Sequence, residues 1–297
     1  MERIKQALEL ARQEREKSGG QVSAASSKKK SARSDTDLNI KYTETRSINL
    51  SPRELREKRI IVEQNNSVSD AYRLLRTQIL QRLNEKSWNT LAITSPNADS
   101  GKTTTAINLA ISLAREVENT VLLVDANLRS PKINHYFDIH VENGLSDYLC
   151  DDVPLSEILI HPEGIPKFVI MPAGHVISNS SEMLSSPKMT RLVEELKHRY
   201  PSRIVLFDLP PLLESSDALA FLPNADATLM VIEDGGTKEH ELRQAFELLQ
   251  NNEVIGTVLN KSYTRDKDYG NLDVVPGVLS QILNKISKKS LPKWINK

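Results

Sequence analysis

From about residue 90 to residue 260 the chain alternates between short apolar runs and longer stretches in which apolar residues recur every three or four positions. The runs at 91–95, 121–125, 167–171, 204–208, 227–232 and 254–260 are rich in Val, Ile and Leu and read as buried strands, whereas 103–117, 187–199 and 238–250 read as helices. This alternation predicts an α/β domain, a mostly parallel sheet covered by helices on both faces. The stretch 103–117 carries Ala106, Leu109, Ala110 and Leu113 with Ile107 and Ile111 besides, so it is apolar nearly all round and is expected to lie deep.

Upstream, Ser51-Pro52-Arg53-Glu54 marks a helix start, with serine at the N-cap, proline at the first helical position and glutamate at the third. A further helix over about 68–83 sets Tyr72, Leu75, Ile79 and Leu83 along one side. At roughly 100° per residue, Asp70, Arg73 and Arg76 fall on a separate arc of about 120°, either a solvated face or an assembly surface. Residues 1–17 suggest a short amphipathic helix around Ile4, Ala7, Leu8 and Ala11, and 18–50 have the Ser, Lys and Thr-rich composition of a disordered linker. The folded domain is expected over 51–262. In the tail, 263–297, Leu279, Ile282, Leu283 and Ile286 form an apolar stripe beside Lys285, Lys288 and Lys289. Such a stripe either docks on its own domain or lies on a membrane surface.

Composition narrows the classes. Lys+Arg and Asp+Glu are both 39 in 297 residues, so no overall field draws the chain to nucleic acid, and no nucleic-acid partner is expected. Cys150 is the single cysteine, which excludes an internal disulfide framework and suits a reducing compartment. No apolar run approaches the roughly 20 residues of a spanning helix, and the first residues do not open a secretory signal. A cytoplasmic protein is expected.

The chemistry concentrates at three strand ends. Leu91 to Thr105 reads as an apolar strand, a phosphate loop and a helix start, with Gly101, Lys102 and Thr103 as the core of the loop. Backbone N–H groups in such a loop curl around phosphates, the lysine neutralises the outer ones, the hydroxyl holds Mg²⁺, and the helix N-terminus faces the anion. The strict G-x-x-x-x-G-K-[ST] pattern has glycine where Pro96 stands. Two further runs, at 121–125 and 204–208, end in Asp125 and Asp208. Their carboxylates are expected at the carboxyl ends of buried parallel strands, where open α/β sheets bind ligands. An aspartate there is either a turn or helix cap, or part of Mg²⁺ and nucleophile handling beside the phosphate loop. The expected fold is therefore a P-loop NTPase that binds a nucleoside triphosphate with Mg²⁺.

The phosphate loop, the Asp125-x-x-x-Arg129 strand end and the Asp208-x-Pro210-Pro211 strand end, in this order, resemble the bacterial tyrosine kinases of capsule and exopolysaccharide synthesis, relatives of the MinD and ParA ATPases. The likeness covers about 67 to 262. Asp70-Ala71-Tyr72-Arg73-Leu74-Leu75-Arg76-Thr77 is similar to the family's ring-assembly segment. Arg129-Ser130-Pro131 with Gly144-Leu145-Ser146, and Pro172-Ala173-Gly174 with Ser181-Glu182-Met183-Leu184, also match. Gly256 to Lys261 resembles the closing strand, whose Asn260 would suit the adenine edge. The N-terminal helix and linker resemble members from exosortase-linked polysaccharide operons.

The resemblance implies roles for the matching positions. Lys102 and the backbone of Asp99, Ser100, Gly101, Thr103 and Thr104 would hold the phosphates. Thr103 would ligate Mg²⁺, with Asp208 in its outer shell through water, and Asp125 would orient and deprotonate the attacking tyrosine. Asp70, Arg73 and Arg76 would serve assembly of a homo-oligomer, as in the rings of this family. The implied function is an ATP-dependent protein tyrosine autokinase that regulates polysaccharide polymerisation and export. A separate membrane-embedded chain-length protein would hold it at the inner face of the plasma membrane.

Three positions depart from the family pattern. Asn127 stands where Asp-x-Asp is usual; it can accept from a metal-bound water but brings no charge. Ala98-Asp99-Ser100 replaces a common Pro-Gly-Glu and sets a carboxylate near the phosphates. Only Tyr263 and Tyr269 follow the last strand as candidate phosphoacceptors, where the family often has a tyrosine cluster. Two other readings stay open: a degenerate ATP-binding regulator, favoured by Asn127 and the sparse tail, and a MinD- or ParA-like positioning ATPase, against which residues 95–100 contain no lysine.

Overall fold

Every residue of the run Thr90–Thr94 is buried, as is every residue but the first in Thr120–Asp125 and Arg203–Asp208. Strands covered on both faces need apolar side chains at every position, and this explains runs without polar alternation. The computed structural model describes residues 45–61, 66–116, 119–199 and 202–262. The expected N-terminal helix, the linker up to 44 and the tail with Tyr263 and Tyr269 lie outside the described residues.

Eight strands, β1 (Arg46–Ile48), β2 (Thr90–Thr94), β3 (Thr120–Asp125), β4 (Ile160–Pro162), β5 (Phe168–Met171), β6 (Arg203–Asp208), β7 (Ala227–Glu233) and β8 (Val254–Asn260), form one sheet in the order β1-β4-β5-β3-β6-β2-β7-β8. All neighbouring pairs are parallel except β4 with β5. Alternate residues of the strands feed two apolar layers. Ala92, Leu122, Val124, Val205 and Phe207 join the helix Pro187–His198 on one face. Leu91, Ile93, Val121, Leu123 and Leu206 meet the helices Ser67–Lys86 and Lys102–Ala114 on the other. In Lys102–Ala114 every residue but Thr104 is buried. Ser67–Lys86 lies against it through Ile79 and Leu83, side chains whose burial is worth about 1.5–3 kcal/mol each.

Within the described residues the expected strands and helices are present, with three differences. The linker expected to run to residue 50 gives way earlier, because Arg46–Ile48 pair in parallel with Ile160–Pro162 at the sheet edge. The helix expected to reach 117 ends at Ala114. The short helices Ile133–Phe137, Leu145–Asp151, Leu155–Ile158, Ser180–Leu184 and Asp217–Phe221 span one or two turns, too few for a 3.6-residue period to show in sequence. Ser51 caps Pro52–Glu57 as expected, its hydroxyl accepting from Glu54 N–H at 3.4 Å.

Candidate functional site: a phosphate loop facing two buried aspartates

The phosphate loop leaves the carboxyl end of β2 and is held from two sides. Thr94 Oγ1 donates to the Pro210 carbonyl at 2.8 Å, and the N–H groups of Leu212 and Leu213 donate to the Ser95 and Pro96 carbonyls at 2.8 and 3.1 Å. The chain after β6 therefore runs along the first half of the loop, and proline in place of the usual glycine still offers the carbonyl this contact needs. Asp99 and Gly101 take left-handed backbone angles, φ 57° and 84°. At Gly101 the need for glycine is double: a Cβ would stand 2.1 Å from Asn260 Nδ2, the amide that donates to the Ser100 carbonyl at 2.9 Å. The end of β8 thus pins the loop.

Opposite the loop stand the two aspartates. Asp125 and Asp208 are register partners on adjacent parallel strands and are essentially fully buried. Thr103 Oγ1 donates to Asp208 Oδ2 at 2.6 Å, and the Lys102 ammonium lies 3.6 Å from Oδ1 and 3.3 Å from the Thr103 hydroxyl. Asp125 accepts through Oδ2 from the N–H groups of Lys132 and Ile133, at 3.1 and 3.0 Å, and through Oδ1 from Asn127 N–H at 3.2 Å. Burial, reinforced by the Asp208 carboxylate, pushes Asp125 up to about 7 against the Ile133 and Asn127 N–H groups and Lys102. Burial also raises Asp208, opposed by Lys102 and the Thr103 hydroxyl.

The residues fit Mg²⁺. Asp208 Oδ1 is buried with no hydrogen-bond partner, the Lys102 ammonium standing 3.6 Å from it, and the Thr103 hydroxyl and the Asp125 and Asp208 carboxylates gathered here are the hard oxygen donors this ion takes. No cluster of three or more His, Cys, Asp and Glu that could hold a metal exists among the described residues, and Mg²⁺ is generally bound by one or two carboxylates together with substrate phosphates.

A cleft of about 450 Å³ opens over these groups, within the range that takes a small organic ligand. Lys102, Thr103, Thr104, Gly101, Asp99 and Asn127 line it as their motifs suggested. Ser100 is buried beneath, bonded to the Asn97 carbonyl. Asn127 uses its Oδ1 to accept from Ser130 N–H at 3.3 Å, which shapes the turn after β3.

Several lining residues carry no motif. Lys132 reaches Asp99 at 3.3 Å across the mouth, Tyr136 shares a 2.8 Å hydrogen bond with Thr104, and Glu214 accepts from Ala98 N–H at 2.5 Å. Arg129 was visible as the end of Asp-x-x-x-Arg; the structure adds its anchor. Its Nε donates to the buried Asp217 at 3.1 Å, and Ser180 donates to the same carboxylate at 2.6 Å.

The charged arc of the Ser67–Lys86 helix divides. Asp70 and Arg73 pair with each other at the surface. Arg76 is turned inward, its guanidinium donating to the Ser112 carbonyl at 3.0 Å and pairing with Glu116 at 2.7 Å. This corrects the expectation of one shared exposed arc: the neighbouring helix covers its Arg76 edge.

Residues 89–264 match the model of the AAA domain family. The chain is 30% identical over 205 residues to the tyrosine-protein kinase YwqD of Bacillus subtilis, covering 68% of this chain and 85% of that protein. It is 33% identical over 218 residues to the succinoglycan biosynthesis transport protein ExoP of Rhizobium meliloti, covering 70% of this chain but only 27% of ExoP. Among solved structures, the kinase domain of the Escherichia coli tyrosine kinase ETK superposes with a TM-score of 0.61 at 27% identity, over 74% of this chain and 92% of that one.

Proposed function

The chain belongs to the AAA domain family and, within it, to the bacterial tyrosine-protein kinases, and from that premise we propose that it is an ATP-dependent tyrosine autokinase acting in exopolysaccharide or capsule polymerisation and export. The observation that carries the chemistry is the meeting of Lys102 and Thr103, which line the cleft, with Asp208 and a second aspartate, Asp125, both buried beneath it. Lys102 and the N–H groups of the loop hold the phosphates of ATP, and Thr103, with Asp208 in the outer shell through water, would hold Mg²⁺, which would supply charge neutralisation at the phosphates. Asp125, raised by burial to about 7, takes the proton of an acceptor tyrosine hydroxyl. The phenolic oxygen forms the new bond to the γ-phosphorus as the bond from that phosphorus to the β–γ bridging oxygen breaks, and ADP leaves. Phosphoryl transfer asks chiefly for positioning and charge neutralisation, which this set supplies.

Asn260, beside the loop at the end of β8, is the proposed adenine contact, and Tyr269 and secondarily Tyr263 are the proposed acceptors in a neighbouring copy. Asp70 and Arg73 supply the exposed part of the proposed contact between copies. No helix among the described residues is long and apolar enough to cross a membrane. We assign the membrane side of the system to a separate chain-length protein that holds this one at the inner face of the plasma membrane; the name of ExoP supports the link to polysaccharide transport. Asn127, which brings no charge to the metal end of the cleft, favours a second reading, an ATP-binding regulator without transfer.

A mixing experiment separates the two. A Lys102→Met copy carrying a size tag is incubated with Mg-ATP and untagged wild type. The autokinase reading predicts phosphotyrosine on the tagged copy, lost when that copy also carries Tyr263→Phe and Tyr269→Phe. Phosphotyrosine on neither copy, with ATP bound, supports the regulator.

A further inference from the structure

The outer half of the phosphate loop is short of positive charge. Residues 95–100 hold no cation and include Asp99, and Glu214 adds a carboxylate on the Ala98 N–H. Of the two cations outside the motifs that line the cleft, Arg59 and Lys132, it is Lys132 that is bonded to the loop. Lys132 is fixed by its backbone, whose N–H is bound to Asp125 at 3.1 Å, and its ammonium crosses the cleft mouth to Asp99 at 3.3 Å. Both partners remain open to water, with side-chain exposures of 43% and 82%. Such an exposed pair is weak and exchanges readily for a stronger anion. A terminal phosphate is that anion, because charge-assisted bonds from an ammonium to phosphate oxygens are among the strong ones.

Resting on the nucleotide-site reading above, we propose that Lys132 is a second phosphate-binding cation, partnered by Asp99 and transferred to the terminal phosphate when a triphosphate binds, so that it sets the preference for ATP over ADP. The anchor decides which phosphate it meets. Asp125 is the register partner of Asp208, and Asp208 is bonded to Thr103 and Lys102, the groups that serve the outer phosphates and the metal. Asp99 has a matching part: it keeps the ammonium over the cleft, and it competes with the phosphate for it.

Calorimetric titration with ATP and with ADP tests the assignment on the wild-type chain and on Lys132→Gln, Lys132→Arg and Asp99→Asn. Loss of a charge-assisted contact predicts that Lys132→Gln weakens ATP by about tenfold or more while ADP stays within about twofold. Lys132→Arg keeps most of the ATP affinity, and Asp99→Asn tightens ATP. Equal weakening of both nucleotides by Lys132→Gln, or an unchanged ATP affinity, overturns the role of Lys132. A wild-type chain that binds neither nucleotide overturns the nucleotide site itself, a distinct result.

Discussion

Asp125 is held by three backbone N–H groups that stabilise its charge and by a buried setting, with Asp208 alongside, that opposes it. The opposition wins, and the ordinary value of 3.8 rises to about 7. Between these two pH values the native chain holds a proton on Asp125 that the unfolded chain has lost, so the stabilisation is fully present below about 4 and declines as pH rises through about 7. Urea unfolding without nucleotide, at pH 5 and pH 8, should show the wild type losing on the order of 3 kcal/mol relative to Asp125→Asn. Parallel behaviour of the two proteins would contradict the raised value. At this scale the sequence was informative wherever a residue sat at a fixed offset from a strand end, as Lys102, Thr103, Asp125 and Asp208 do. Lys132, Tyr136 and Glu214 gave no such signal, because the turn after β3 and the chain after β6 bring them to the cleft from segments without periodicity.

The helix Ser67–Lys86 shows what an element's pattern tells and what it omits. Its apolar row predicted the inner side, and Ile79 and Leu83 are buried there. The width of the covered side depends on the partner, and Lys102–Ala114 with the turn after it extends cover to Arg76. The two arginines should therefore separate experimentally. Arg76→Ala removes charged contacts to Ser112 and Glu116 and should cost about 1–3 kcal/mol in denaturant unfolding. Arg73→Ala, at the surface, should change stability by less than about 0.5 kcal/mol yet weaken self-association in light scattering, more so at low salt. An Arg73→Ala protein that assembles like an assembling wild type would remove this face from the contact. Long strands and helices were legible because their periods repeat several times; β1 and β4, three residues each, form only because the sheet offers them an edge.

For the whole molecule, the order of strands matters more than any single motif. Placing β6 between β3 and β2 sets Asp125, Asp208 and the phosphate loop side by side at the carboxyl ends, although more than 100 residues separate Thr103 from Asp208 along the chain. The alternation of strands and helices predicted a parallel sheet, but periodicity does not encode which strands are neighbours; that order is seen in the structure alone. Charge balance, 39 against 39, leaves assembly and partner choice to local surfaces such as the Asp70–Arg73 pair. The central claim is transfer of phosphate from ATP to tyrosine by this cleft. Intact mass spectrometry tests it most directly, on phosphatase-treated wild type and Lys102→Met incubated with Mg-ATP, followed by peptide mapping. The account predicts added phosphoryl groups on the wild type, mapped to tyrosine, and none on Lys102→Met. An unmodified wild type that binds Mg-ATP, or equal modification of both proteins, would contradict it.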